Sequence, residues 1–237
     1  MHKRIWELDA LRGLALLVMI GLHLTYDLVF LYRIVEMTDR TVYDIVQKCC
    51  ATTFLLLSGI CVTLGAHPVR RGLLVFSCGL VISAVTAGMY LLEFANKGII
   101  IYFGVLHCLG ACMLLWPVFR KFPVWLLCLL GAAIIAGGVY IAQNVRVAGY
   151  WLVPLGFYNR RFVSSDYFPL FPNLGYFLLG SVLGKTIYRK KQSLLPQMNE
   201  NFFLIRFLRW CGKNSLWIYM LHQPVLTALV SVFLMLF

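Results

Sequence analysis

Apolar residues gather into seven runs, at about 9–32, 45–66, 72–92, 98–118, 123–142, 167–188 and 213–236. Each approaches the ~20 residues a helix needs to cross a hydrocarbon core. The pattern predicts an all-α fold: a polytopic transmembrane helix bundle of about seven spans, forming a single domain over 1–237. Two stretches break the rhythm. Residues 147–158 (VAGYWLVPLGFY) are too short to cross and contain Pro154, so they read as a re-entrant or interfacial piece. Residues 189–211 are polar at first and end in FFLIRFLRW. Aromatics and leucines set among two arginines suit a helix lying on the cytosolic membrane face. No internal repeat is visible.

Composition agrees with this pattern. Hydrophobic residues make up 61% of the 237 and charged residues only 13%, against roughly 25% charged in soluble domains. A soluble enzyme, a disordered tail and a secreted disulfide scaffold are excluded. The net charge of +12 comes in short clusters between apolar runs, which is the signature of membrane topology rather than of nucleic-acid binding. With the N-terminus in the cytosol, thirteen Lys and Arg fall in inner loops and seven in outer ones, Arg12 being the last. That bias favours a cytosolic N-terminus and an outer C-terminus. Asp9 and Arg12 interrupt the first run, which argues against a cleavable signal peptide. The small size and the lack of a targeting extension suit the inner (plasma) membrane of a bacterium. The eight cysteines include the pair Cys108-x3-Cys112, but no Cys/His spacing fits a tetrahedral metal site. They read as small apolar fillers, and no metal is expected.

Ionisable residues inside apolar runs are costly and mark candidate chemistry. Asp9 and Arg12 are three apart on the first span and can pair. His23 lies eleven residues beyond Arg12, a rise of about 16 Å on almost the same face. Asp27 follows one turn later and can accept from one imidazole nitrogen, leaving the other free as a base. The same residues also fit a purely structural account: a helix-end ion pair and a histidine bonded to a neighbouring helix. His107 in YFGVLHCLG and His222 in GKNSLWIYMLHQP can line a cavity with His23 or serve packing. Ser58 and Gly59 suit close helix approach. Asp166, in SSDYFPLFPNLGYFLLG, can bind a polar acceptor or cap a helix.

These segments carry a resemblance. RIWELDALRGLALLVMIGLH resembles the opening of the heparan-α-glucosaminide N-acetyltransferase catalytic-domain family, in its short bacterial form. FLLLSGICV, FGVLHCLG, DYFPLFPNLGYFLLG and NSLWIYMLHQPV continue it in order, so it covers nearly the whole chain. Arg12, ten residues, then His23 is also similar to the Arg-x10-His signature of the broader membrane acyltransferase group. The resemblance implies transfer of an acetyl group from cytosolic acetyl-CoA to an amine or hydroxyl of an extracytoplasmic sugar or glycan. It implies His23 as the catalytic histidine, with Arg12 its partner toward the donor. The chain lacks the large non-cytosolic domain of the lysosomal enzyme and has fewer spans.

The chemistry of the donor fits cytosolic cations. Arg12, Arg70, Arg71, Lys185 and Lys213 are candidates to neutralise the phosphates of CoA. His23 would deprotonate the acceptor, or carry the acetyl group itself. His107, Asn214, Ser215 or Tyr219 can stabilise the oxyanion, and His107, Asp166, His222 and Asn214 are the expected substrate contacts. Trp151, Tyr158 and Tyr167 suit a sugar face on the outer side. The expected partners are acetyl-CoA, the glycan and membrane lipid, with no nucleic acid. A homodimer is the commonest oligomer, but no interface is legible. Two rival readings fit the same polar groups. One is a transporter or channel for a small anionic solute, and the other is a haem protein ligated by His23, His107 and His222.

Overall fold

Each of the seven apolar runs folds as a helix, because in a chain this apolar only the helix bonds every backbone group within its own segment. The computed structural model describes residues 4–236 except 38, 148, 160, 199 and 201. Lys3 and Arg160, two of the topological charges, lie outside the described residues. The helices are α1 (Trp6–Tyr26), α2 (Arg40–Leu64), α3 (Pro68–Leu91), α4 (Val105–Phe119), α5 (Val124–Asn144), α6 (Leu170–Thr186), α7 (Phe203–Lys213) and α8 (Ser215–Leu236). Among the described residues there is no β-strand, only an isolated bridge between Phe103 and Tyr167. A wider π-turn over Asp27–Leu31 extends α1, and Pro224 sits inside α8.

Five helices are long and apolar enough to cross a membrane: α1 with its π-turn, α2, α3, α5 and α8. The fourth and sixth runs give shorter helices. α4 has 15 residues, about 22 Å, and α6 has 17, about 25 Å, against a core about 30 Å thick. Local chemistry trims both. Residues 97–104 form a 3₁₀ turn and then extended backbone, bonded to the following loop by Phe168 N–H to the Phe103 carbonyl (2.9 Å) and Ser164 Oγ to the Ile100 carbonyl (2.9 Å). In α6, Pro172 disfavours helical geometry at the residue before it, and Phe171 indeed sits at φ −98°, ψ 121°.

By its packing the chain divides into two compact units. One, the terminal unit, comprises residues 1–54 and 191–237; the other, the central unit, comprises 55–190. In the central unit the core is built around Leu55, Cys108, Cys112, Leu127, Phe177 and Leu178, all fully buried or nearly so. The cysteines there are packing residues, and all eight are free thiols. The end of α2 approaches α6 backbone to backbone. A Cβ on Gly59 would stand 2.0 Å from the Phe177 carbonyl oxygen, and one on Gly180 2.2 Å from that of Leu56. This is small-residue packing of the kind membrane helices use.

In the terminal unit α7 is amphipathic. One face docks against α1. A Cβ on Gly13 would meet the Leu208 carbonyl oxygen at 2.0 Å, and one on Gly212 would meet that of Asp9 at 1.8 Å. Only the opposite face, with Phe203, Leu204, Phe207 and Trp210, is exposed. The contact is backbone on backbone, so no side chain can yield to an intruding methyl group. Gly212→Val is expected to cost about 3 kcal/mol or more, the upper end of overpacking effects. The check is the thermal transition of purified protein in detergent, which should fall markedly or lose its cooperativity.

Candidate functional site

The terminal unit gathers polar groups where both of its long helices are irregular. On α1, Asp27 opens the π-turn. On α8, Pro224 withdraws one backbone N–H just beyond His222 and Gln223. Here the rings of His23 and His222 meet edge-on, with centroids 4.8 Å apart and planes at 67°. Gln223 Nε2 donates to both oxygens of Asp27, at 3.0 and 2.8 Å. Further along, Tyr32 Oη lies 3.0 Å from Ser231 Oγ, a second tie between the segment after α1 and α8.

The partners of each group correct one expectation. Asp27 does not orient His23; its carboxylate is taken by Gln223. The Asp27 N–H still bonds the His23 carbonyl one turn back, so it is the Gln223 amide of α8, not a break in α1, that takes the carboxylate. His23 has no hydrogen-bond partner among the described residues and is only partly exposed. The Nδ1 of His222 lies 2.5 Å from the Tyr219 carbonyl oxygen. A carbonyl only accepts, so Nδ1 carries the hydrogen and Nε2 holds a lone pair. That Nε2 and Oε1 of Gln223 are both buried and without a partner among the described residues. Gln223 is the functional candidate that sequence reading passed over; its only signal was an amide inside an apolar run, next to His222.

Three turns below His23 on α1 stands Arg12. Its side chain is 14% exposed, and its one ion-pair contact among the described residues, to Asp9 Oδ1, is a long 4.0 Å. The other Asp9 oxygen is buried without a partner. Arg12 is therefore a mostly buried guanidinium with donors to spare. The Gly212–Asp9 contact brings Lys213 to this end of α1, where its side chain is exposed. Asn214 gives an N–H to the Trp210 carbonyl (2.9 Å), closing α7.

The remaining expected residues lie in the central unit, and several are committed to structure. His107 accepts from the Gly104 N–H at Nδ1 (3.2 Å), and its Nε2 faces Ser83 Oγ at 3.4 Å. Both ring nitrogens are engaged at the start of α4, which leaves neither for a substrate. Asp166 accepts from the Val105 N–H at 3.0 Å and so caps α4. Lys185 Nζ donates to the carbonyls of Arg120 (2.9 Å) and Phe122 (3.1 Å) after the C-terminus of α4 and sits over the Trp116 ring. That uses two of the three donors expected to meet CoA. Arg71 lies back toward Gly65 at the α2–α3 turn, and Arg70 is exposed.

The loop before α6 forms an aromatic cluster. Tyr158 and Tyr167 pack edge-on at 5.5 Å, Arg146 lies over Tyr158, and Tyr167 Oη donates to the Val153 carbonyl at 2.7 Å. Trp151 is 94% exposed. A cleft of about 140 Å³ opens beside them, lined by Lys97, Gly98, Tyr102, Tyr150, Arg161 and Val163. The 147–158 stretch holds only a 3₁₀ turn at Val153–Leu155, so it does not cross.

A family model described as heparan-alpha-glucosaminide N-acetyltransferase, catalytic, matches residues 4–224. The chain belongs to that family. No curated protein and no solved structure matches it. The family is one of acetyltransferases, and the five helices of crossing length make this heparan-alpha-glucosaminide N-acetyltransferase-like chain a multi-pass membrane protein. The matched segment runs from before Arg12 to just beyond Gln223, so it includes every group of the α1–α8 polar cluster except Ser231.

Proposed function

We propose that this protein moves an acetyl group from cytosolic acetyl-CoA to an amine or hydroxyl of a sugar on the far side of a bacterial inner membrane. The observation that carries the reading is an unbonded imidazole, His23, set three turns above an under-engaged Arg12 on one membrane helix. The N-terminus lies in the cytosol, so Arg12 and Lys213 face the donor's phosphates and the pantetheine arm extends along α1 toward His23. His23 takes the proton of the acceptor as its nitrogen or oxygen bonds to the thioester carbonyl carbon. The carbon–sulfur bond breaks, and the departing thiolate receives that proton from the imidazolium. The aromatic cluster around Tyr158 and Tyr167, with exposed Trp151 nearby, supplies faces of the kind that cover a sugar's C–H surface.

The test is acetyl-CoA itself. Purified protein in detergent should bind radiolabelled acetyl-CoA, hydrolyse it slowly, and transfer label to amino or hydroxyl sugars. Labelled acceptor without any need for a thioester donor, or uptake of a free anion into proteoliposomes without acetyl-CoA, would reject the reading.

A further inference from the structure

Resting on that acetyltransferase reading, we propose that His222 is the positioning partner of the base, receiving a ring N–H of His23 at its own Nε2. Sequence pattern gives this part to Asp27, but Asp27 is occupied by Gln223. His222 has the right valence for it. Its Nδ1–H is fixed on the Tyr219 carbonyl, so Nε2 can only accept. The residue is 9% exposed, and that nitrogen has no partner among the described residues. A buried acceptor left unsatisfied costs about 1–3 kcal/mol, so a donor within reach is favoured. His23 is in ring contact with it at 4.8 Å and has no hydrogen bond among the described residues. Rotation of the His23 ring then gives Nε2 its donor.

The proton balance is simple. Before reaction, one nitrogen of His23 bears hydrogen toward His222 and the other holds the lone pair that meets the acceptor. When His23 takes the acceptor's proton it becomes imidazolium, and the His222 lone pair stabilises the N–H that points to it. The departing thiolate then removes the newly gained proton, and the pair returns to its starting state. His222 never bonds to the acetyl group. Fixing the tautomer and orientation of a base in this way is what the carboxylate does in hydrolytic triads; here a neutral imidazole does it.

Two measurements test this on the full chain in detergent. The first is the ¹⁵N spectrum of histidine-labelled protein, with His222→Asn used to assign the signal. The expected tautomer of His222 is Nδ1–H with a bare Nε2, and an Nε2–H tautomer overturns the proposal whether or not the protein turns over. The second is kinetic. His222→Ala should lower kcat by about 100-fold or more with KM for acetyl-CoA unchanged. Imidazole added to that variant should restore rate, whereas pyrazole, equal in size and far less basic, should not. Equal rescue by both means the ring only fills space and overturns the proposal, as does a variant that keeps its full kcat. His222→Asn, which retains an N–H for Tyr219 but no Nε2, should match the alanine variant in rate while keeping the wild-type thermal midpoint. Should the wild type transfer no acetyl group, the functional reading fails, and the ¹⁵N tautomer still judges the histidine pair separately.

Discussion

His23→Ala is expected to lower kcat for acetyl transfer by about 10²–10⁴-fold, the span that removal of a general base produces, while leaving acetyl-CoA bound with wild-type affinity. The separation follows from position. His23 lies eleven residues from Arg12 on α1, far from the end that would hold the phosphates, and it has no hydrogen bond among the described residues whose loss would unsettle the fold. His23→Gln should fall as far as alanine, because an amide of similar reach cannot take a proton at neutral pH. Equilibrium binding of labelled acetyl-CoA and single-turnover transfer on the same preparation separate the two effects. A variant that retains turnover removes His23 as base. Labelled acetyl trapped on the wild-type protein but not on the variant points instead to the histidine as the acetyl carrier.

The second large effect belongs to Arg12. Arg12→Ala should weaken acetyl-CoA binding by about 10- to 100-fold, since a hydrogen bond to a charged group contributes roughly 1.5–3 kcal/mol. The side chain is mostly buried, and its one ion pair among the described residues is a 4.0 Å approach to Asp9, so most of its donors are left for a ligand. Acetyl-pantetheine, which carries the thioester without the nucleotide phosphates, should bind wild type and variant alike. Arg12→Lys should recover only part of the affinity, because an ammonium keeps the charge but loses the planar fork. Removing Arg12 also strands Asp9, which is buried. The double variant Asp9→Asn, Arg12→Ala removes that stranded charge, so a loss of affinity that survives in it belongs to the ligand. Equal weakening toward acetyl-pantetheine would place Arg12 away from the phosphates.

The helices were legible because a run of about twenty apolar residues has few alternatives in a membrane chain. Their ends were less so. The backbone leaves the helix at 97–104 and at Phe171 for reasons of turn and proline chemistry that hydropathy does not register. That shift decided the fate of His107: it reads as mid-span in an apolar run beginning at 98, and instead sits in the first turn of a helix that begins at Val105, where it binds the Gly104 N–H. His23 and His222 stood out as ionisable groups in apolar surroundings, and Arg12 did too. Their partnerships did not, because the α1–α8 contact is set by the path of the chain rather than by local spacing. Helical periodicity gives Asp27 to His23, but its carboxylate accepts from the Gln223 amide of α8, a partner that local spacing cannot show. Gln223 itself carries no charge and so gave no electrostatic warning.

Asp27 and Gln223 are 196 residues apart in the chain, and that separation sets a timetable for biogenesis. At a synthesis rate of about 5–20 residues per second, the first helix waits roughly 10–40 s for the last one to leave the ribosome. Through that interval the carboxylate of Asp27 and the imidazole of His23 are held on a newly inserted helix with neither of their α8 partners yet made. A ribosome stalled a few codons before the end of the message, or a nonsense mutation anywhere ahead of residue 222, would leave the membrane carrying an exposed polar helix. Such a product is the kind that intramembrane quality control removes, so loss-of-function truncations in this chain should show up as missing protein rather than as inactive protein.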